Sequence, residues 1–502
     1  MGDWHLARLS ESAFERLGDN EALFFEGRWY STGELRDRIL RLAGGLVELG
    51  VSPGDRVVVM LPNGPTVPVA YNAIWRAGAA VTPAMFLLPP DELNRIITDS
   101  EATTVITSPD FLGSVKVAAE GAEHLKWIIS TGTETDGVVS LESLETAPPG
   151  EIVDREDSDL SSLLYTGGTT GASKGVMYSH ENQAFCAQAL HEASKVEGPT
   201  MGLTALPLSH AFGLMVTVAG FFSEEPGKAV LMSWFDPQQW LDNVQNFRVN
   251  RAAAVPSMIQ LLLGQPLEDY DLSSWDFLGV GAAPLAKDVI EEFERRVPSC
   301  KVHEGYGCTE TGGGATTNPL EARRVGSVGK PMPGYELKIV DESDNELPVG
   351  QPGEVCVRSR GLMMGYWKSP ELTEETMRGG WFHTGDVGRL DDDGYLYIVD
   401  RIKDLIIRGG FNIYPRDVED VLLEHPAIEV AGVVGRPDPK YGEEVVAFVS
   451  LRSGASATPE ELIEHCKAKI GRHKYPRDVR IVGYVPLTPV GKIDRKAIRQ
   501  LL

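Results

Sequence analysis

A stretch rich in glycine, threonine and one lysine carries the clearest chemistry in this sequence. It reads Tyr165-Thr-Gly-Gly-Thr-Thr-Gly-Ala-Ser-Lys-Gly175 and follows Leu160–Leu164, an apolar run that predicts the end of a strand. Backbone N–H groups, hydroxyls and one cation are the groups that hold a polyphosphate. A Walker A loop is excluded, because that motif requires Ser or Thr after its lysine and Gly175 stands there. A Gly/Thr surface turn is the alternative interpretation.

A second stretch, Gly305-Tyr-Gly-Cys-Thr-Glu310, sets an aromatic ring between glycines, where it can lie flat on a base. Thr309 and Glu310 offer a hydroxyl and a carboxylate that suit phosphate and Mg²⁺. A glycine-rich turn with a core tyrosine is the alternative. Gly279-Val-Gly-Ala-Ala-Pro284 nearly matches the dinucleotide fingerprint, but proline replaces its third glycine, so a nicotinamide site is not expected.

Three further charged positions lie in the last quarter of the chain. Asp386 ends Trp381-Phe-His-Thr-Gly-Asp386 and could accept both hydroxyls of a ribose, while Arg401 in Asp400-Arg-Ile-Lys-Asp404 could donate to the same ribose. Lys492, in Pro489-Val-Gly-Lys-Ile-Asp-Arg495, follows a glycine and could reach into a neighbouring active site. Taken singly, these residues are better explained as a turn aspartate, a surface ion pair and a solvated lysine.

The composition restricts the function classes. The 502 residues are 42% hydrophobic and 24% charged, which is typical of a globular protein with more than one core. The net charge of −25 argues against nucleic acid or an anionic membrane surface as the main partner. Five scattered cysteines without a CxxC pair fit a cytoplasmic location and offer neither a disulfide framework nor a zinc site. No apolar stretch is long enough for a membrane span.

The elements that position these motifs follow from hydrophobic periodicity. Arg56–Leu61 predicts a buried strand, a helical pattern runs to Arg76, and Ala79–Thr82 predicts a second strand. Strand, helix and strand at this spacing predict a βαβ unit and a parallel sheet. Similar alternation recurs up to about residue 330. The fold class is therefore α/β, with a large N-terminal domain of layered sheets.

The later part of the chain has a different character. Short strands between Gly, Pro and Asp turns predict a small β-rich subdomain over about 325–402, namely Tyr335–Val340, Gly353–Arg358 and Tyr395–Val399. We predict a first domain over 1–402 and a mobile α+β domain over 403–502, with strands Val430–Val434 and Glu443–Leu451. Thr458, Pro459 and Glu461 predict a capping box at the start of its helix.

Taken together, the motifs resemble the adenylate-forming superfamily of acyl-CoA synthetases, peptide-synthetase adenylation domains and beetle luciferases in order and spacing. The resemblance covers essentially the whole chain. It implies an ATP-dependent acyl-CoA ligase. A carboxylic acid and ATP would give an acyl adenylate and pyrophosphate, and the adenylate and coenzyme A would then give the thioester and AMP.

The resemblance also implies roles for individual residues. Lys492 would bridge the substrate carboxylate and the α-phosphate, Thr309 would contact that phosphate, and Glu310 would coordinate Mg²⁺. Asp386 and Arg401 would bind the ribose. The β- and γ-phosphates would be bound by Thr166, Gly167, Gly168, Thr169, Thr170, Gly171 and Lys174. The adenine would be lined by Gly281, Ala282, Ala283 and a stacked Tyr306, with Glu304, Gly305 and Gly307 beside it. Ile398 would lie near the ribose.

The second half-reaction of the family follows a rotation of the C-terminal domain. Lys403 matches the hinge, and Gly409 and Gly410 match the loop that lines the pantetheine tunnel. His210 matches a histidine beside the acyl pocket, with a packed core histidine as the alternative. Four apolar residues are candidates for the pocket wall or for plain core: Phe212, Met215, Val255 and Met258. Their apolar character favours a hydrophobic acid that is fatty, aromatic or polycyclic.

The sequence departs from the common family form at three positions. Gly167 replaces a serine, Ser173 replaces a proline, and Ala84 replaces an asparagine. One alternative is therefore a ligase that is biased towards the thioester step and acts on a preformed acyl adenylate. Another is an adenylating enzyme that loads a carrier protein in trans.

Two further alternatives share the fold. A luciferase-like oxygenase is one, and a non-catalytic binding protein is the other. The complete charged set, Lys174, Glu310, Asp386, Arg401 and Lys492, argues against a non-catalytic protein. The oligomeric state is not defined by the sequence, and a homodimer is the commonest assembly.

Overall fold

The computed structural model describes residues 4–132, 135–166, 173–196, 198–487 and 493–502. The α-helices are α1 Leu6–Leu17, α2 Thr32–Leu49, α3 Thr66–Arg76, α4 Pro90–Asp99, α5 Pro109–Ala118, α6 Leu141–Leu144, α7 His180–Ala193, α8 Ala211–Ala219, α9 Pro237–Phe247, α10 Pro256–Leu263, α11 Lys287–Arg296, α12 Pro370–Thr376, α13 Pro415–Leu423, α14 Pro459–Lys469 and α15 Arg495–Arg499. No helix among these described ranges is both long and apolar enough to cross a bilayer.

The strands of the same ranges are β1 Glu21–Phe25, β2 Arg28–Ser31, β3 Arg56–Met60, β4 Ala80–Pro83, β5 Thr104–Thr107, β6 Trp127–Ser130, β7 Val139–Ser140, β8 Leu160–Thr166, β9 Lys174–Ser179, β10 Met201–Thr204, β11 Lys228–Leu231, β12 Arg251–Ala254, β13 Phe277–Val280, β14 Lys301–Tyr306, β15 Thr316–Thr317, β16 Lys330–Pro331, β17 Tyr335–Val340, β18 Gly353–Ser359, β19 Gly365–Tyr366, β20 Phe382–Leu390, β21 Leu396–Arg401, β22 Ile406–Arg408, β23 Phe411–Ile413, β24 Ile428–Asp438, β25 Gly442–Leu451 and β26 Asp478–Ile481.

The chain divides into two compact units. The first unit comprises Met1–Val325, Gly329–Glu336 and Val357–Phe382. The second unit comprises Gly326–Val328, Leu337–Cys356 and His383–Leu502. The domain division after residue 402 stays a prediction.

Two large sheets dominate the first unit. One has the strand order β16-β15-β14-β13-β12-β10-β11-β1-β2, and the other has the order β19-β9-β8-β4-β3-β5-β6-β7. The predicted βαβ unit is confirmed, because β3 and β4 pair in parallel on either side of α3. The side chains of Val57, Val58 and Val59 in β3 are all buried. A strand buried on both faces needs an unbroken apolar run, as parallel sheets covered by helices require.

The core beneath the first of these sheets is aromatic. Trp240, Trp275 and Phe293 are fully buried and pack in one cluster with the apolar faces of the surrounding strands and helices. The rings of Trp275 and Phe293 meet edge to face, with centroids 5.5 Å apart. Residues of β12, β13 and β14 contribute to this core, and the carboxyl ends of β13 and β14 carry the candidate adenine residues.

The second unit contains most of a four-stranded sheet, β17-β18-β20-β21, and a five-stranded sheet in which β26 joins β23-β22-β25-β24. The strands predicted near Val430 and Glu443 are present as β24 and β25, and β24 is longer than its apolar stretch indicated. The predicted capping box is confirmed: Thr458 accepts a hydrogen bond from the backbone N–H of Glu461 at the start of α14. The α/β class with a large N-terminal domain and a smaller C-terminal domain is confirmed.

Candidate functional site

The glycine-threonine stretch connects two antiparallel strands. Thr166 ends β8 and Lys174 begins β9, and the two residues are direct partners across the pair. The Ser173 hydroxyl donates to the Thr166 carbonyl at 2.9 Å and closes the base of the loop. The predicted phosphate ligands Gly167, Gly168, Thr169, Thr170 and Gly171 lie outside the described residues. The antiparallel pairing of β8 and β9 differs from the strand-to-helix setting of a Walker loop, which the sequence excluded on the residue after Lys174.

The adenine candidates lie at the ends of two adjacent parallel strands. Val280 at the end of β13 is the partner of Glu304 in β14, so Gly281, which follows β13, lies beside Gly305 near the end of β14. A Cβ on Gly281 would meet the Gly305 carbonyl oxygen at 3.4 Å. In α/β sheets, ligands bind outside the carboxyl ends of the strands.

Backbone strain marks the same place. Ala282 has a φ of 71°, in the left-handed region that non-glycine residues rarely enter. Such conformations persist where the surrounding structure imposes them, and they cluster at ligand sites. Ala283 follows directly, while Tyr306 ends β14 and Gly307 leads into the next segment. The structure therefore groups these predicted adenine residues at one edge of the sheet.

A short 3₁₀ turn, Thr309–Thr311, carries the predicted phosphate and metal ligands. The Tyr178 hydroxyl binds both ends of this turn: it donates to the Thr309 carbonyl and accepts from the Gly312 N–H at 2.6 Å. Burial raises the pKa of Tyr178 well above its usual range, so the hydroxyl keeps its proton. The Tyr335 hydroxyl donates to the Thr311 carbonyl at 3.1 Å. Buried hydroxyls therefore hold the turn from two sides.

Glu310 has a partner that the sequence interpretation missed. The Tyr366 hydroxyl donates to Glu310 Oε1 at 2.9 Å, and Lys174 Nζ lies 5.4 Å from the centroid of the same ring. No local signal pointed to Tyr366, because it lies 56 residues from Glu310 along the chain. The structure thus brings the predicted metal ligand and the predicted phosphate-binding lysine to one side chain.

His210 lies at the N-terminus of α8, where its Nδ1 accepts from the Phe212 N–H at 3.3 Å. Met258 belongs to the buried aromatic-rich core, and Phe212 and Val255 pack against that core. Met215 is buried with its sulfur 3.3 Å from Cys186 Sγ. These contacts suit a pocket wall and plain core equally, so the acyl-pocket assignment stays a prediction.

In the second unit, Asp386 and Arg401 are direct partners across β20 and β21. Arg401 Nε lies 2.9 Å from Asp386 Oδ1, and the aspartate is buried. Ile398 lies on the same strand as Arg401, opposite Gly388. The predicted ribose residues of the second unit are therefore brought together.

The turn before Asp386 is fixed by strand β18. The Gly385 N–H donates to Glu354 Oε1 at 3.0 Å, and the Thr384 hydroxyl donates to the Val355 carbonyl at 2.7 Å. Thr384 Oγ1 in turn accepts from the Asp386 N–H at 3.1 Å. Glu354 was not identified from the sequence, although it follows a glycine at the start of a predicted strand.

Glu354, Cys356 and His383 form the only group of three potential metal ligands found among the described residues. His383 Nδ1 lies 2.9 Å from Glu354 Oε2 and 3.4 Å from Cys356 Sγ. Sequence spacing offered no zinc site, because these three residues come from two separate strands. His383 Nδ1 faces both Glu354 and Cys356, as expected in a hydrogen-bond network. This network connects His383 to the Glu354 carboxylate, which also accepts from the Gly385 N–H. All five cysteines, which lie within the described ranges, are thiols rather than disulfides.

The hinge and tunnel candidates also lie in the second unit. Lys403 is in a 3₁₀ turn, Ile402–Asp404. Gly409 and Gly410 form the two-residue turn between β22 and β23, with φ values of 59° and 82°. Both positive angles are those of a type I′ hairpin turn. The geometry of the turn therefore accounts for the two glycines, with no need for a bound ligand.

Lys492 lies outside the described residues, but the helix that follows is anchored. Arg495 Nη2 donates to both carboxylate oxygens of Glu419, at 2.7 and 2.8 Å. Arg499 Nη2 donates to Asp404 Oδ1 at 2.9 Å, and Arg495 lies 3.6 Å from the other oxygen. The residue next to the hinge candidate is therefore bound to the helix that follows Lys492.

Comparison with known proteins agrees with this geometry. The family model described as AMP-binding enzyme matches residues 10–367, and the model described as AMP-binding enzyme C-terminal domain matches residues 417–492. A feruloyl-CoA synthase of Amycolatopsis sp is 34% identical over 507 residues, covering 100% of this chain and 98% of the relative. A long-chain-fatty-acid–CoA ligase of Escherichia coli O6:H1 is 31% identical over 531 residues, covering 98% and 94%.

Among solved structures, the anthranilate CoA ligase AuaEII in complex with anthranoyl-AMP has a TM-score of 0.92 and 25% identity, covering 99% of this chain and 97% of that one. The chain belongs to the AMP-binding, adenylate-forming enzymes, and within them to the acyl-CoA synthetases and ligases. The prediction of an AMP-forming acid–thiol ligase is confirmed.

Proposed function

We propose that this enzyme joins a hydrophobic carboxylic acid to coenzyme A through an acyl adenylate. The observation that carries the proposal is the grouping of Lys174, Tyr366 and Glu310 beside the hairpin of β8 and β9. A cation and a hard carboxylate ligand at one place are what a Mg²⁺-bound polyphosphate requires. Small-molecule acids also fit the names of the related CoA ligases.

In the proposed first step, a carboxylate oxygen attacks the α-phosphate and pyrophosphate leaves. Both reactants are anions, so positive groups must first bring them together. Lys174 would hold the leaving phosphates, and Lys492 would bridge the carboxylate and the α-phosphate. No general base is needed, because the acid is already ionised. Asp386 and Arg401 would orient the ribose.

The residues present fit a magnesium ion. Glu310 offers a half-exposed carboxylate, and its Oε1 is already oriented by the Tyr366 hydroxyl. Mg²⁺ prefers oxygen ligands and commonly binds one or two carboxylates together with substrate phosphates. When bound, the ion would neutralise charge on the phosphate oxygens.

Ser173 departs from the common family form, but a hydrogen bond still holds the base of the loop. The family commonly has proline there, and Ser173 instead forms a hydrogen bond to Thr166 across the hairpin. This contact supports full adenylation activity over a ligase biased towards the thioester step. We infer coenzyme A as the acceptor because the two related sequences are named as a feruloyl-CoA synthase and a long-chain-fatty-acid–CoA ligase.

The test separates the two half-reactions. Pyrophosphate exchange is measured with a panel of fatty and aromatic acids, and thioester formation is measured from synthetic acyl adenylates with coenzyme A or a carrier protein. Activity in both steps with coenzyme A is the expected result. Thioester formation without exchange would show that another enzyme supplies the adenylate. Transfer to the carrier protein alone would identify a carrier-loading enzyme.

A further inference from the structure

One short segment, Met363–Trp367, contacts both halves of the candidate phosphate site in the first unit. The Met364 N–H donates to the Met177 carbonyl at 2.8 Å, and the Trp367 N–H donates to the Gly175 carbonyl at 2.8 Å. The segment therefore lies along β9, the strand that begins with Lys174. At its other end, the Met363 N–H donates to the Glu310 carbonyl at 3.0 Å.

The Tyr366 side chain repeats this bridge with functional groups. Its hydroxyl donates to the Glu310 carboxylate, and its ring faces the Lys174 ammonium. The residue is only 7% exposed, and its backbone N–H is held by the Thr373 hydroxyl at 2.9 Å. Burial of the side chain and this backbone hydrogen bond therefore restrict the position of the Tyr366 ring.

The chemistry of the contact fixes its direction. A tyrosine hydroxyl has one proton to donate, whereas an ionised carboxylate offers only acceptor atoms. The hydroxyl thus remains a donor, and Glu310 remains the acceptor. The ring face carries the negative part of its quadrupole, which attracts the ammonium of Lys174. The Glu310 carboxylate therefore contacts the hydroxyl of Tyr366, and the Lys174 ammonium lies near the ring of the same neutral side chain.

We infer that Tyr366 is a positioning residue that sets the geometry of the metal ligand Glu310 relative to the phosphate-binding Lys174. The inference rests on the proposed function, because it presumes that Glu310 and Lys174 bind Mg²⁺ and the polyphosphate. A rigid neutral spacer keeps each charge available for its ligand and removes the reorganisation that a mobile carboxylate would need. The hydroxyl acts on the metal ligand, and the ring acts on the lysine.

These two contributions are separable by substitution. Tyr366→Phe keeps the ring and loses the hydroxyl, so the Mg²⁺ concentration for half-maximal pyrophosphate exchange is expected to rise about 10-fold, the effect of one hydrogen bond to a charged group. KM for ATP at saturating Mg²⁺ and KM for the acid are expected to stay within about 2-fold. Tyr366→Leu loses both groups, and KM for ATP is then expected to rise about 3-fold as well.

Tyr71→Phe is the matched control. It removes the hydroxyl of another buried tyrosine, the one that donates to the Leu208 carbonyl at 3.3 Å, and this contact is not among those that hold the Thr309–Thr311 turn. Its Mg²⁺ dependence is expected to match that of the unaltered enzyme. Thermal unfolding of every variant shows whether a loss of activity reflects a loss of fold.

A double-variant comparison tests whether the Tyr366 hydroxyl acts through Glu310. Glu310→Gln by itself is expected to raise the Mg²⁺ concentration for half-maximal pyrophosphate exchange. Adding Tyr366→Phe to Glu310→Gln should change that concentration by less than about 2-fold. Equal Mg²⁺ dependence of Tyr366→Phe and the unaltered enzyme would overturn the inference, as would fully independent effects in the double variant. No pyrophosphate exchange by the unaltered enzyme with any acid would instead overturn the proposed function.

Discussion

Arg401 Nε lies 2.9 Å from Asp386 Oδ1, and the two residues are direct partners across β20 and β21. The aspartate is buried, and the arginine is partly exposed. A carboxylate paired with a guanidinium is held in one orientation, ready to accept from a pair of hydroxyls. This arrangement defines the first prediction.

Asp386→Ala is expected to lower kcat/KM for ATP about 100-fold, because two hydrogen bonds to a charged acceptor are lost. The test compares ATP with 2′-deoxy-ATP and 3′-deoxy-ATP in pyrophosphate exchange. The unaltered enzyme should prefer ATP, and the variant should lose the preference. Asp341→Asn, which alters a partly exposed turn aspartate of the same unit, is the control. A retained preference for ATP in Asp386→Ala would exclude the ribose role.

Lys492→Ala is expected to slow adenylation about 10²–10³-fold, the usual effect of losing one preorganised charge stabiliser. Thioester formation from a synthetic acyl adenylate should be nearly unchanged, since the α-phosphate has then already reacted. Lys496→Ala alters an exposed lysine four positions further on and should affect neither step. Equal losses in both half-reactions would contradict a role confined to adenylation.

Glu419→Gln is expected to lower the free energy of unfolding of the second unit by about 1.5–3 kcal/mol, because it removes the carboxylate that Arg495 binds most closely and leaves only the longer Asp404 contact at 3.6 Å. Chemical denaturation followed by circular dichroism measures the change. The exposed pair Lys467–Glu464 supplies the comparison, where Glu464→Gln should change stability by less than about 0.5 kcal/mol. A loss below about 1 kcal/mol for Glu419→Gln would show that Arg495 finds another partner.

A buried histidine pair predicts a pH dependence of stability. His5 and His180 stack with centroids 4.2 Å apart, and burial, followed by Arg8 and Arg155, lowers the pKa of His5 from 6.5 to about 4. The folded protein therefore binds fewer protons than the unfolded chain between these values. Stability from His5 is complete above about pH 6.5 and is lost as the pH falls towards 4, by about 3 kcal/mol.

His180 adds to this loss in the same direction, because burial and then His5 lower its pKa as well. Urea unfolding at several pH values measures the slope. His5→Phe keeps the stacked ring without a titrating group, so its slope between pH 6.5 and 4 should be shallower. The same slope in the variant would place the titrating group elsewhere.

Local patterns in the sequence predicted much of the fold. The unbroken apolar run of β3, the helical period of α3 and the Thr458 capping box each involve residues within a few positions of one another. Asp386 and Arg401 were also assigned to one ribose from sequence, and their strands are neighbours along the chain. Interactions over such short separations follow from side-chain period and turn chemistry.

Such local patterns could not predict the contacts that complete the site. Tyr366 lies in a two-residue strand, whose register against β9 places its hydroxyl on Glu310. Glu354 and His383 come from different strands, and only their pairing brings the carboxylate to the Gly385 N–H. Met258, a candidate for the pocket wall, became part of an aromatic core whose members are distant along the chain.

The sequence by itself determined the family, the α/β class and the identity of the charged residues, because these depend on residue type and spacing. Tertiary structure alone decided which tyrosine supports Glu310, which carboxylate holds the turn before Asp386, and which glycines are required by a hairpin. The physical reason is that a side chain selects its distant partner through the register and packing of whole strands, and that selection is a property of the assembled sheets.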